Sequence, residues 1–164
     1  MGNSDHLKKK KKRHVRSSAK ALIIRDNQIL LHRCDFGDGV LCYLFPGGGQ
    51  KFGETLDKTV ERECLEEIGA RVRAKKLLFI REYISANHEF ADKKKVHSIE
   101  FYFQCELVTE PSWDRAFHPD RVQVGIEWVP LAELGKKNLF PRTLRNRLVD
   151  GIEGKQFEYL GDVN

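Results

Sequence analysis

No stretch of this 164-residue chain is apolar for more than a few consecutive positions. A membrane-spanning helix needs roughly 20, so none is expected. The basic N-terminus leads into no apolar h-region and does not read as a secretory signal. Met1-Gly2 opens like a myristoylation signal, but His6 stands where Ser or Thr is required. There is no CxxC pair. Cys34, Cys42, Cys64 and Cys105 are scattered, which points to reduced, buried thiols in a cytoplasmic protein. His32, Cys34 and Cys42 match no usual zinc spacing. No internal repeat is present. What remains is an ordinary balance of 40% hydrophobic and 32% charged residues, in a chain long enough for one domain with a sizeable core.

The formal charge of +5 is unevenly placed. Residues 1–20 hold eight basic residues (Lys8 to Lys12, Arg13, Arg16, Lys20) against Asp5, a net of +7, and the rest nets −2. Residues 1–17 show no apolar periodicity and repel themselves, which predicts a disordered basic tail ahead of a single domain over 18–164. Such a tail is either a solvated arm or one that meets RNA or another polyanion; the solvated arm is favoured.

Strands are expected over 19–25 and 28–33 around an Asp26-Asn27 hairpin turn, and over 40–45, stopped by Pro46 and three glycines. A helix follows, with Thr55 as N-cap, Asp57 in its first turn and Gly69 at its C-terminus. Further strands read over 72–84, 96–108 and 122–129. In the second of these Ile99, Phe101, Phe103 and Cys105 face one way, with Ser98, Glu100, Tyr102 and Gln104 the other way, toward solvent or a pocket wall. Residues 85–95 and 109–121 read as loops. Residues 130–134 start a short helix, and 140–152 a closing helix with Leu144, Leu148 and Ile152 on one face. The fold class is mixed α/β, or α+β: strands around one mid-chain helix.

The chemistry concentrates between Gly47 and Ala70. Six acidic residues fall from Glu54 to Glu67. On a helix at ~100° per residue, Glu63, Glu66 and Glu67 share one face, with Val60, Cys64 and Ile68 as the neighbouring apolar stripe. Clustered carboxylates repel one another, and a hard divalent cation such as Mg²⁺ or Mn²⁺ relieves that repulsion. Gly47-Gly48-Gly49 lets backbone pass close to a ligand and offers a carbonyl. Arg62 and Glu54 are a natural bidentate pair for bracing the loop against the helix.

These residues are where the sequence resembles the Nudix hydrolase family. Gly48, Glu54, Arg62-Glu63, Cys64, Leu65, Glu66-Glu67, Ile68, Gly69 and Ala70 keep every fixed residue of the family's box at its spacing. Cys64 and Ala70 hold its two aliphatic positions. Tyr43 to Gly48 and Glu127 to Leu131 resemble the segments that usually lead into and close the domain. The resemblance covers roughly residues 18–150. It implies a mixed β-sheet between helices, a loop–helix–loop catalytic box, and metal-dependent hydrolysis of a nucleoside diphosphate linked to another moiety.

By the same resemblance Glu63, Glu66, Glu67 and the Gly47 carbonyl hold the metal, and Gly48, Glu54, Arg62 and Gly69 keep the box in shape. The carboxylate that takes the water's proton stays open among Glu63, Glu67 and Glu100, with Glu82, Asp114 and Asp120 as weaker candidates; Arg62 completes the catalytic set. Arg33 and Arg81 are candidates for phosphate contact. Tyr83, Phe90, Tyr102 and Trp113 are candidates for base stacking. The expected substrate is a small-molecule nucleotide, first ADP-ribose or a nucleotide sugar. The alternatives are MutT-like hydrolysis of oxidised nucleoside triphosphates, trimming of RNA 5′ ends with help from the tail, and a non-catalytic nucleotide sensor. No membrane partner is expected; monomer and homodimer stay open.

Overall fold

The computed structural model describes residues 14–88 and 96–164. In chain order they form β1 (Arg16–Leu22), β2 (Ile24–Arg25), β3 (Gln28–Asp35), β4 (Leu41–Leu44), α1 (Leu56–Ile68), β5 (Val72–Ile84), β6 (His97–Leu107), β7 (Gln123–Pro130), α2 (Thr143–Leu148) and β8 (Glu158–Asp162), with short 3₁₀ turns at Ser85–Asn87, Trp113–Arg115 and Leu131–Lys136. One sheet has the order β1-β6-β5-β8; in the other, β3 pairs with β2, β4 and β7. Asp26 and Asn27 turn the β2–β3 hairpin with φ of 51° and 56°, the double left-handed geometry that matches the twist of the flanking strands.

Two apolar clusters fill the space between these elements. Val60, Cys64 and Ile68 of α1 pack on Ala19, Ala21, Leu30 and Cys105. Leu144 and Leu148 of α2 close over Leu22, Ile29, Phe45, Phe79 and Tyr102. The result is the expected mixed α/β sandwich.

Four expectations need correction. β1 begins at Arg16, ahead of Ser18, because Arg16 to Leu22 pair in parallel with Ser98 to Gln104; residues 1–13 of the expected tail lie outside the described residues. The polar face of β6 does not look onto solvent. Tyr102 packs on that face with Leu22, Phe45, Phe79, Leu144 and Leu148, Ser98 is buried with it, and Glu100 is half-buried between them. The closing helix shrinks to six residues, since the chain turns after Leu148 and passes Gly151 at φ 76°. Lastly, β8 was not anticipated. It is a five-residue edge strand paired in parallel with β5, and its sequence, EYLGD, has no apolar alternation to announce it.

Candidate active site

The glycine loop is held as though it were one more strand. The Ala21 amide donates to the Pro46 carbonyl (2.8 Å), Ala19 to Gly48 (3.0 Å) and Gln50 to Ser17 (3.0 Å). Gly47 has φ 127°, and a Cβ there would lie 2.1 Å from the Ala19 carbonyl oxygen. At Gly48 a Cβ would come within 2.7–2.8 Å of the Glu63 carboxylate. These two glycines therefore let the loop lie against β1 on one side and the acidic face of α1 on the other. Thr55 takes the expected N-cap position of α1, without a side-chain capping hydrogen bond, and Gly69 ends the helix in the left-handed region as expected.

Arg62 braces this arrangement. Its Nε meets Glu54 Oε1 at 2.8 Å and its Nη2 meets Glu54 Oε2 at 3.0 Å, the bidentate fork that only a planar guanidinium offers. Nη2 also donates to the Gly49 carbonyl (3.1 Å), and Nη1 to Glu63 (2.7 Å) and Glu66 (3.2 Å). Glu54 further accepts the Thr59 hydroxyl (2.9 Å) and the Lys51 amide (3.2 Å). The Arg62 contact foremost, with the other donors, holds the Glu54 carboxyl down to about 2.

The three helix carboxylates differ in surroundings. Glu67 is buried, 4% exposed, and receives three donors: the Gly47 amide at 2.8 Å, His32 Nε2 at 3.2 Å and Gln123 Nε2 at 2.8 Å. Burial alone would raise its pKa, yet His32, Lys20 and the Gly47 amide outweigh burial and lower it. Glu63 is pushed up by burial, with the Glu67 and Glu66 charges adding to the rise and Arg62 opposing it. Glu66 lies beside Lys51 Nζ at 3.6 Å. As the side chains stand, no three His, Cys, Asp or Glu groups among the described residues converge on one point. The donor set nevertheless suits a hard cation. It offers carboxylate oxygens with unmet repulsion, and a Gly47 carbonyl to which the Lys20 ammonium already donates.

The remaining candidates divide. Glu100 is not a free base: its Oε2 accepts Arg81 Nε at 2.9 Å and the Tyr102 hydroxyl at 2.6 Å. Arg81, expected at the substrate, is buried in that pair and donates to the Val163 carbonyl at 3.0 Å. Tyr102, expected to stack on a base, is 1% exposed with Phe45 edge-on at 5.4 Å, so its ring has no free face. Tyr83 is half-buried, stacked on His88 at 5.2 Å and lying under the Arg81 guanidinium. Arg33 stays a candidate, its buried Nε having no partner among the described residues. Glu82 is taken by His97 and Tyr159, Asp114 and Trp113 lie in the 3₁₀ turn after β6, and Asp120 precedes β7. Phe90 is outside the described residues.

Sequence reasoning missed Lys20, His32 and Gln123. Lys20 falls in the expected strand over 19–25 with no role assigned to it, His32 was weighed only for zinc, and nothing local in the sequence ties Gln123 to a glutamate 56 residues earlier.

The chain matches the NUDIX domain family over residues 14–148, well over half its length. It belongs to the Nudix family. Membership makes it a hydrolase of pyrophosphate bonds, in a family that acts on nucleoside diphosphate derivatives and generally uses divalent metal ions. Among similar solved structures is a NUDIX hydrolase from Nitrosomonas europaea, at 20% identity over 88% of this chain and 93% of that one, with TM-score 0.69. An ADP-ribose pyrophosphatase from Streptococcus suis aligns at 18% identity over 91% and 100%, TM-score 0.61. A MutT NUDIX hydrolase from Burkholderia pseudomallei aligns at 26% identity over 73% and 85%, TM-score 0.55. For this Nudix chain no helix among the described residues is long and apolar enough to cross a membrane. All four cysteines are buried and free, as expected, with Cys34 directly opposite Cys42 on β3 and β4.

Proposed function

We propose that this Nudix hydrolase cleaves the diphosphate of a nucleoside diphosphate linked to a second moiety, with ADP-ribose or a nucleotide sugar as the first substrates to test. The observation that carries the reading is the box itself: Glu63, Glu66 and Glu67 on one helix face beneath a glycine loop clamped by Arg62 and Glu54. Glu63, Glu66, Glu67 and the Gly47 carbonyl would hold Mg²⁺ or Mn²⁺, which supplies neutralisation of the charge on the diphosphate oxygens.

The chain's own groups do the rest. Arg62 keeps the loop and helix at a fixed spacing, so binding does not have to order them. Glu63 is the best placed proton acceptor: Arg62 is its only hydrogen-bond donor among the described residues, whereas Glu67 already receives three and Glu100 is paired with Arg81. Arg33 is the candidate cation for a phosphate or ribose oxygen; its buried Nε has no partner among the described residues.

One observation favours RNA 5′ ends as a second reading. A cavity of about 660 Å³ runs between His14–Ser17 and Gln50–Glu54, beside the box, at the first of the described residues. Phe52 on its rim is fully exposed, a surface on which a base can stack. Another cavity, of about 540 Å³, is lined by Ile23–Arg25, Gln104–Leu107 and Asp150–Glu153 and by none of the box carboxylates. The sensor alternative is disfavoured because every box carboxylate is present.

The deciding experiment incubates the full chain and Mg²⁺ with ADP-ribose, UDP- and GDP-sugars, 8-oxo-dGTP and triphosphorylated RNA, and identifies the products. Release of a nucleoside monophosphate from the first two classes supports the reading. Turnover of 8-oxo-dGTP or RNA alone overturns it, and no turnover of any overturns the enzymatic assignment.

A further inference from the structure

Lys20 lies on β1 opposite Tyr102 of β6, half-buried, in the strand against which the glycine loop is pressed. Its ammonium donates to the Gly47 carbonyl. Gly47 is packed so tightly here that a Cβ would meet Lys20 Cα at 2.9 Å. No carboxylate forms an ion pair with Lys20 among the described residues; its partner is a carbonyl oxygen in a negatively charged surrounding. That is the position of a small cation, filled by a tethered one.

We propose that Lys20 is a stand-in cation of the metal site, its ammonium holding the Gly47 carbonyl until a divalent ion takes that oxygen. The inference rests on the metal reading given above. Two cations cannot share one carbonyl lone-pair region at close range without strong repulsion, so metal entry requires Lys20 to leave. Lys20 then sets metal affinity: it keeps the empty box from collapsing or repelling itself, and it competes for the site. A lysine suits this better than an arginine, since its compact ammonium on a flexible stem can withdraw without breaking a planar fork.

The test titrates the full chain with Mn²⁺, reading free ion by electron paramagnetic resonance, for the wild type, Lys20→Met and Lys51→Met. Lys51 also lies near the carboxylates, 3.6 Å from Glu66, but does not touch the Gly47 carbonyl. Lys20→Met is expected to bind Mn²⁺ about five- to tenfold tighter, on the order of one removed charge interaction, and Lys51→Met much less so. Metal-free Lys20→Met should melt below the wild type, with the gap closing at saturating Mn²⁺. Unchanged or weaker Mn²⁺ binding by a folded Lys20→Met overturns the proposal. So does equal tightening by Lys51→Met, or a melting gap that Mn²⁺ leaves intact. A wild type that binds no Mn²⁺ overturns the metal reading itself, which is a distinct result.

Discussion

The Glu67 carboxylate accepts the backbone amide of Gly47 at 2.8 Å, tying the last acidic residue of α1 to the loop that enters the helix. His32 and Gln123 complete the grip from β3 and β7. Glu67→Gln keeps the size of the side chain but loses the charge and cannot accept all three donors. It should fold, with kcat/KM reduced about a hundredfold or more. Steady-state kinetics beside circular dichroism check this; full activity would remove Glu67 from the site.

Gly47 and Gly48 should respond differently to alanine. A methyl at Gly47 meets backbone at 2.1 Å and sits at an unfavourable φ, so Gly47→Ala should lose about 1–3 kcal/mol of stability or more. The nearest atoms to a methyl at Gly48 are those of the Glu63 carboxylate, a side chain that can swing away. Gly48→Ala should therefore melt near the wild type while activity falls. Equal melting losses in both variants would contradict this account of the loop.

The Glu54–Arg62 pair has a defined pH signature. The Glu54 carboxyl falls from an ordinary value of 4.5 to about 2 in the fold. A lowered folded-state pKa gives stability that is complete above the unfolded value and is lost as pH falls through the folded one. The stability gap between wild type and Glu54→Gln should thus be constant above about pH 5 and narrow toward pH 2. Urea midpoints across pH 2–7 measure it, and a gap that widens on acidification would be the wrong sign.

Arg81 and Glu100 should behave as a buried pair rather than as substrate contacts. Arg81→Met removes the guanidinium from the largely enclosed Glu100 and leaves the Tyr102 hydroxyl as its hydrogen-bond donor among the described residues; breaking such a pair costs about 3–5 kcal/mol. Tyr102→Phe removes one hydrogen bond and should cost about 1 kcal/mol. Chemical denaturation gives both values. An Arg81→Met protein of native stability but raised KM would return Arg81 to the substrate.

Much of this was legible in the sequence because it is local. The box spans 22 residues from Gly48 to Gly69, and helical spacing alone places Glu63, Glu66 and Glu67 together. Asp26-Asn27 and Gly69 signal their own turns. What escaped depends on strand pairing. Arg16 looked like tail because a charge run hides the start of a strand whose support comes from β6, some 80 residues later; Lys20 fell in an expected strand, but nothing local ties it to the Gly47 carbonyl 27 residues on. Tyr102 and Glu100 looked exposed because alternation tells which residues share a face, not whether that face is covered. Gln123 reaches Glu67 only once β7 is laid beside β3.

The way the glycine loop is fastened gives the site a built-in reporter. The amides of Ala19, Ala21 and Gln50 are engaged only through the pairing of β1 with residues 46–50, so their hydrogen exchange measures how often that seam opens. Slow exchange at these three positions, compared with and without nucleotide, would show whether the box works as a fixed anvil or as a hinge, without any turnover being observed.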